Sequence, residues 1–219
     1  MHIISLNQIL MFYILLMDHN NILAVVLAGG KSKRFGRDKS QVKLGDKILI
    51  NYILSEIIDI YNDILIVANE PIKFLDSHKI SLTSDFKKDL GPLGGVFSAM
   101  KWAKDNKKKY KWISTFPIDT PFFKKKHLSK FYEEIDLEKS NLFFMKSKNT
   151  RHNIFGLWSL ELYEKLEIAL NKGDRKVEIW ANEIGVKTID FEHENNKDPF
   201  FNINTEKELE IAKKLLNND

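Results

Sequence analysis

Residues 22–39, ILAVVLAGGKSKRFGRDK, decide how the rest of the chain is read. Ile22 to Ala28 carries no charge and is rich in β-branched and aliphatic residues, as in a strand buried on both faces of a parallel sheet. At Gly29-Gly30 the side chains vanish, so the backbone gains conformational freedom and can approach a ligand closely. Lys31, Lys33, Arg34, Arg37 and Lys39 follow, with Gly36 among them. A bare turn trailed by five cations suits a polyphosphate, because main-chain N–H groups cradle the oxygens while Lys and Arg neutralise their charge. The same residues also fit an ordinary strand-to-loop turn with a solvated basic rim. The remainder of the chain has to discriminate.

Two familiar phosphate motifs are excluded. A Walker A loop needs a glycine five positions before Gly30-Lys31-Ser32, and Val25 stands there. A dinucleotide fingerprint needs G-x-G-x-x-G, a spacing that Gly29, Gly30 and Gly36 lack.

Moving outward, Gly45-Asp46 reads as a turn and Lys47 to Ile60 as a helix. Asp63 to Ala68 reads as a second buried strand that ends at Asn69-Glu70-Pro71. Ile80 to Thr83 is a short strand that stops before Asp85, and Gly91 to Gly95 (GPLGG) is a flexible loop leading into a helix from Val96 to about Lys104. Lys111 to Phe116 is a strand cut by Pro117 and followed by Ile118-Asp119-Thr120-Pro121. Further on, 141–146, 153–159 and 186–191 look like strands, with helical patterns over 160–170 and 175–182. A last helix opens with the capping-box pair Thr205 and Glu208.

Strands alternating with helices imply βαβ units and a three-layer, Rossmann-like α/β fold with a mostly parallel mixed sheet. Such sheets bind ligands beyond the carboxyl ends of their strands. Gly29-Gly30, Asn69, Asp85 and Asp119 all fall at such ends, so Gly29 and Asp119 are expected on one rim. The flanking prolines hold Asp119 stiffly past its strand, and a single carboxylate beside phosphates is the protein share that Mg²⁺ prefers. The alternative is a turn or N-cap aspartate for a helix beginning near Lys125. Gly94 and Gly95 either admit a purine ring against bare backbone or serve helix packing. Gly173 to Lys176 either assists a phosphate or makes a turn.

The chain has 219 residues, enough for one substantial core, and its net charge of +4 suits an anionic small molecule without demanding nucleic acid. With no Cys, disulfides, thiolate metal sites and Cys nucleophiles are excluded. Lysine runs at 104–111 and 124–126 read as solvated surface, without the interleaved aromatics of a nucleic-acid platform.

Four stretches, LAGGKSKRFGRDK (27–39), DLGPLGG (89–95), FPIDTPFF (116–123) and NINTEKEL (202–209), together resemble the molybdenum cofactor guanylyltransferases, or molybdopterin-guanine dinucleotide synthases. The likeness runs from about Ile22 to the C-terminus, and GPLGG with PIDTP narrows it to the guanylyl branch. A nucleotidyltransferase fold is implied, with transfer of GMP from GTP to molybdenum-molybdopterin and release of pyrophosphate. Leu27, Ala28 and Gly29, with Gly30 in the same turn, would then bind GTP through the main chain. Lys39 would contact the triphosphate, Asn69 and Asp85 the nucleotide, and Asp119 both nucleotide and Mg²⁺. Arg34 holds the loop-arginine position, and Asn202 and Asn204 match asparagines on the pterin side. His152 falls where a pterin-facing strand begins, or is an ordinary surface histidine. The expectation is a cytoplasmic monomer in passing contact with apo-molybdoenzymes or cofactor-carrier proteins, with neither membrane nor nucleic acid as partner. The competing readings are a cytidylyltransferase of the same fold and a non-catalytic GTP-binding adaptor.

Residues 1–16 (MHIISLNQILMFYILL) are apolar, lack a basic start and a small-residue cleavage site, and are short for a membrane span. The expectation is an extension outside the nucleotidyltransferase domain at 17–219, with translation starting at Met17. N-terminal mass analysis of the native protein checks this; a terminus at Met1 or His2 refutes it.

Overall fold

Alternation along β1 (Ile22–Leu27) divides the molecule into layers. Leu23 and Val25 enter one hydrophobic core, while Ile22, Ala24 and Val26 enter another on the opposite side of the sheet. The strand is therefore covered on both faces, as its uncharged composition implies. The computed structural model describes residues 21–29, 42–87, 90–106, 110–191 and 198–216. Gly30, Arg34, Lys39 and the expected extension at 1–16 lie outside them.

A small hairpin of β2 (Lys43–Leu44) and β3 (Lys47–Ile48) follows, turning at Gly45 with φ +59°. The helix anticipated from Lys47 is thus shorter, α1 (Leu49–Ile57), because its first residues pair with Lys43 and Leu44 instead. Next come β4 (Ile64–Val67), β5 (Ile80–Thr83), α2 (Gly91–Asp105), β6 (Trp112–Pro117) and α3 (Lys125–Glu134). Helix α2 begins at Gly91, a full turn before Val96. Pro92 sits in the first turn, where a missing N–H breaks no intrahelical bond, so GPLGG is helix and not loop.

The second half contributes β7 (Leu142–Ser147), β8 (Thr150–Ser159), α4 (Tyr163–Lys172), α5 (Val177–Ile184), β9 (Lys187–Phe191) and α6 (Glu206–Leu216). Seven strands form one sheet in the order β5-β4-β1-β6-β8-β7-β9. Every pairing is parallel except those of β8, which runs against both β6 and β7. Helices α2, α4 and α5 pack on one face, and α1 and α3 on the other. This is the three-layer, mostly parallel mixed architecture expected of the sequence. A third cluster, including Val42, Leu44, Phe122, Ile203 and Leu209, seats the hairpin and α6 beside the carboxyl end of β6. Among the described residues no helix is long and apolar enough to cross a membrane.

Strand β8 starts earlier than its apolar pattern suggests. Lys148 and Asn149, at φ 45° and 61°, make a two-residue turn between β7 and β8 whose twist matches an antiparallel pair. The register then slips: Phe144 faces Gly156, while Met145 faces His152. The three intervening residues of β8 bulge out, and Thr115 Oγ1 donates to the carbonyl of Ile154 within the bulge at 2.6 Å. A Cβ at Gly156 would stand 2.2 Å from Phe144 Cδ1 and 2.4 Å from the Phe143 carbonyl oxygen, so only glycine fits there.

Gly156→Ala should therefore lower the melting temperature by several degrees, since overpacking a dense core costs about 1–3 kcal/mol. Thermal unfolding followed by circular dichroism checks this, and an unchanged melting temperature would contradict the register.

Candidate active site

Leu27 pairs with both Val67 and Pro117, and Val67 pairs with Thr83, so these four residues stand level across four adjacent parallel strands. Two residues beyond each lie Gly29, Asn69, Asp119 and Asp85. The ladder continues past the strands, with Ala28 N donating to Val67 O and Ala68 N to Thr83 O, both at 2.9 Å. Along the rim the order is Asp85, Asn69, Gly29, Asp119. The four strand ends converge because the sheet puts them there.

Asn69 and Asp85 clasp each other. Asn69 Nδ2 donates to Asp85 Oδ2 at 2.7 Å, and Asp85 N donates back to Asn69 Oδ1 at 3.0 Å. The clasp stands directly over Gly29, where a Cβ would come within 3.3 Å of Asn69 Nδ2 and 3.5 Å of Asp85 Oδ2. The other oxygen, Asp85 Oδ1, is buried and has no hydrogen-bond partner among the described residues. It lies toward α2, 3.7 Å from where a Cβ on Gly95 would sit; that Cβ would also meet Leu27 Cδ2 at 3.1 Å. Leu27, Gly29, Asn69, Asp85 and Gly95 are thus one cluster.

Gly94, one residue earlier, faces Leu90, whose Cβ would be only 2.4 Å from an added Cβ. Its carbonyl accepts from Ser98 Oγ, and the same hydroxyl accepts from Phe86 N, each at 2.8 Å. Ser98 therefore straps the segment after β5 onto the start of α2. Its small hydroxyl in a helical pattern offered no signal for this.

Asp119 is half-buried, and Lys124 occupies the N-cap of α3, so Asp119 does not cap that helix. Its carbonyl accepts from Ile203 N at 2.9 Å, which brings the C-terminal NIN segment to the end of β6. Asn202 and Asn204 flank this tie, the first exposed and the second half-buried. Ile203 and Phe200 are buried beneath them. Asn204 N donates to Glu208 Oε2 at 2.7 Å while Thr205 Oγ1 accepts from Glu208 N at 3.2 Å, a capping arrangement that holds the backbone of Asn204 against α6. His152, on β8, lies flat on Phe200 with ring centroids 4.1 Å apart and shares a 2.6 Å hydrogen bond with the hydroxyl of Ser147. Gly173 ends α4 at φ +102°, and Arg175 Nη1 donates to the carbonyls of Leu170 and Asp174, so Gly173 to Lys176 is a turn.

The sheet thus presents one face of chemistry: a clasped Asn-Asp pair, a bare glycine, a half-buried carboxylate and two asparagines in a row. The sequence profile of the MobA-like NTP transferase domain matches residues 24–185. The chain belongs to this family. It is a nucleotidyltransferase, as the family's description says. Among its relatives, the molybdenum cofactor guanylyltransferase of Rhizobium rhizogenes is 31% identical over 205 residues, covering 91% of this chain and 94% of that protein. The protein of the same name from Haemophilus influenzae is 31% identical over 186 residues, covering 84% and 93%. Of solved structures, molybdopterin-guanine dinucleotide biosynthesis protein A from Archaeoglobus fulgidus superposes with a TM-score of 0.69 at 21% identity, covering 90% of this chain and all of that one. A Francisella tularensis 2-C-methyl-D-erythritol 4-phosphate cytidylyltransferase gives 0.65 at 16% identity, covering 89% and 99%. At these identities the two structures speak for the fold alone.

Asn69→Ala should release Asp85 and weaken nucleoside triphosphate binding about tenfold, the worth of one lost charge-assisted hydrogen bond, with little change in melting temperature. Isothermal titration of the variant checks this; wild-type affinity would remove the clasp from the binding site.

Proposed function

We propose that this protein transfers GMP from GTP to the terminal phosphate of molybdenum-molybdopterin, forming the guanine dinucleotide cofactor and pyrophosphate. The observation that carries this reading is the level rim, on which Gly29, Asn69, Asp85 and Asp119 succeed one another. The molybdenum cofactor guanylyltransferase relatives, matched over nearly their whole length, supply the acceptor and the base.

The acceptor phosphate needs no general base, because the second pKa of a phosphate monoester is about 6 and the group is already ionised near neutrality. The difficulty is bringing one anion against another and stabilising the pyrophosphate that departs. Catalysis of this kind is chiefly positioning and electrostatics. The backbone from Leu27 to Gly30 cradles the triphosphate, and the absence of a Cβ at Gly29 lets the ligand lie against the main chain. Asn69 and Asp85 hold the nucleotide at the β4–β5 end of the rim. Lys39 and Arg34, which lie outside the described residues, neutralise the phosphates. Asn202 and Asn204, tied to Asp119 through Ile203, receive the pterin. In this reading 17–219 is a single domain whose N-terminal half takes GTP and whose C-terminal half takes the acceptor.

The chemistry of Asp119 suits Mg²⁺: its half-buried carboxylate at the end of β6 is a hard oxygen donor. Mg²⁺ takes one or two carboxylates plus substrate phosphates, a demand that Asp119 meets. When bound it would screen the triphosphate charge and polarise the scissile bond. Gly94, packed on Leu90, contributes to the purine site through the helix it helps to start. The protein would act as a cytoplasmic monomer and meet apo-molybdoenzymes or carrier proteins transiently.

Incubation with GTP, Mg²⁺ and molybdopterin should release pyrophosphate and yield the dinucleotide, while CTP should not substitute. Asp119→Ala should abolish turnover with an unchanged circular dichroism spectrum, and Lys39→Ala should lower the rate more than the preference for GTP over CTP. Normal turnover by Asp119→Ala would end the metal assignment.

A further inference from the structure

Six Ser and Thr side chains are buried among the described residues: Ser98, Ser114, Thr115, Thr120, Ser147 and Ser159. Five of them have hydrogen-bond partners. Ser98 bridges Gly94 and Phe86, Ser114 accepts from Tyr61, and Thr115 joins Ile154 to Trp158. Ser147 pairs with His152, and Ser159 accepts from Glu161 N. Thr120, 2% exposed, is the exception: its Oγ1 is buried and meets no donor or acceptor among the described residues.

Its backbone is tied on both sides. The Thr120 carbonyl accepts from Phe123 N at 3.3 Å, and the preceding carbonyl, that of Asp119, accepts from Ile203 N. Pro121 fixes the next φ. A buried hydroxyl left unsatisfied is unfavourable by about 1–3 kcal/mol, and an isosteric valine would remove that penalty at no loss of volume. A fold that keeps threonine here is therefore less stable than it need be, at the residue beside the rim carboxylate. Asp85 Oδ1, the other buried oxygen noted above without a partner, is at the far end of the same rim. Among the described residues, both of these buried unsatisfied side-chain oxygens are thus at the rim.

We infer that Thr120 is a binding residue whose hydroxyl donates to a phosphate oxygen held at Asp119. This rests on the guanylyltransferase reading, and it assigns the site one more contact than that reading requires. The hydroxyl is the donor because an anionic phosphate oxygen only accepts, and the threonine loses no existing bond in turning toward it. In that reading two phosphates come to Asp119, that of the nucleotide and that of the acceptor, and both have the chemistry to accept this bond.

The test compares Thr120→Val, which keeps the shape and removes the hydroxyl, with Thr120→Ser, which keeps the hydroxyl. The ligand-free valine variant should melt at or above the wild-type temperature. It should also bind GTP with Mg²⁺, or use molybdopterin, roughly ten- to a hundredfold less well, the worth of a hydrogen bond to a charged group. The serine variant should retain most of the wild-type function. A GTP titration without acceptor and a KM for molybdopterin at saturating GTP tell which phosphate receives the bond. A valine variant that melts well below wild type would show that the hydroxyl already had a partner and overturns the inference. So does a stable valine variant with wild-type affinity and kinetics. If the wild-type protein itself forms no dinucleotide from GTP, the parent reading falls; if it does and Thr120→Val matches it, only the inference falls.

Discussion

The parallel register of β5, β4, β1 and β6 is the constraint on which the rest of the structure depends. Parallel ladders hold neighbouring strands at a fixed offset, and side chains alternate between faces with a period of two. A one-residue slip of β1 would exchange its two cores, sending Leu23 and Val25 to the layer now filled by Ile22, Ala24 and Val26. Register is therefore determined by burial. Once it is set, residues two positions past each strand are level without further design, and four loops far apart in sequence share one rim.

The rim is also stiff where the chemistry asks for stiffness. Asn69 and Asp85 bond reciprocally, Ser98 anchors the segment after β5, and Ile203 N ties the C-terminal asparagines to Asp119. Each bond joins elements distant in sequence, so the geometry exists only when the sheet is complete. A reaction between two anions gains from such preorganisation, because donors already in place do not have to reorganise as charge moves. Glycine at 29 and 95 belongs to the same logic: an added Cβ would come within 3.3 Å of Asn69 Nδ2 at the first position and within 3.1 Å of Leu27 Cδ2 at the second, crowding the clasp and the strand end beside it.

The second half of the sheet obeys a different rule. β8 runs antiparallel, so it can follow β7 through a two-residue turn instead of a helical crossover. Its bulge and Gly156 were not visible in the apolar pattern, which suggests a strand from 153 onward. The early residues of β8 pair with β7 across a slipped register, and a period-two reading fails wherever residues are inserted. The start of α2 departs from the local pattern for a related reason. Three glycines and a proline read as loop by propensity, but Gly95 packs on Leu27 and Pro92 sits where helices tolerate it.

The sequence by itself determined the architecture: uncharged strands alternating with amphipathic helices have few ways to bury their apolar surface, and the parallel three-layer sheet is one of them. It also marked the family, because motifs such as the glycine loop and PIDTP are local and survive without their neighbours. What only the tertiary structure decided is which residues touch. The clasp of Asn69 on Asp85, the tie from Ile203 to Asp119, and the buried hydroxyl of Thr120 among its satisfied counterparts all depend on register, bulge and packing. Those are set by contacts between residues far apart along the chain, which no local pattern encodes.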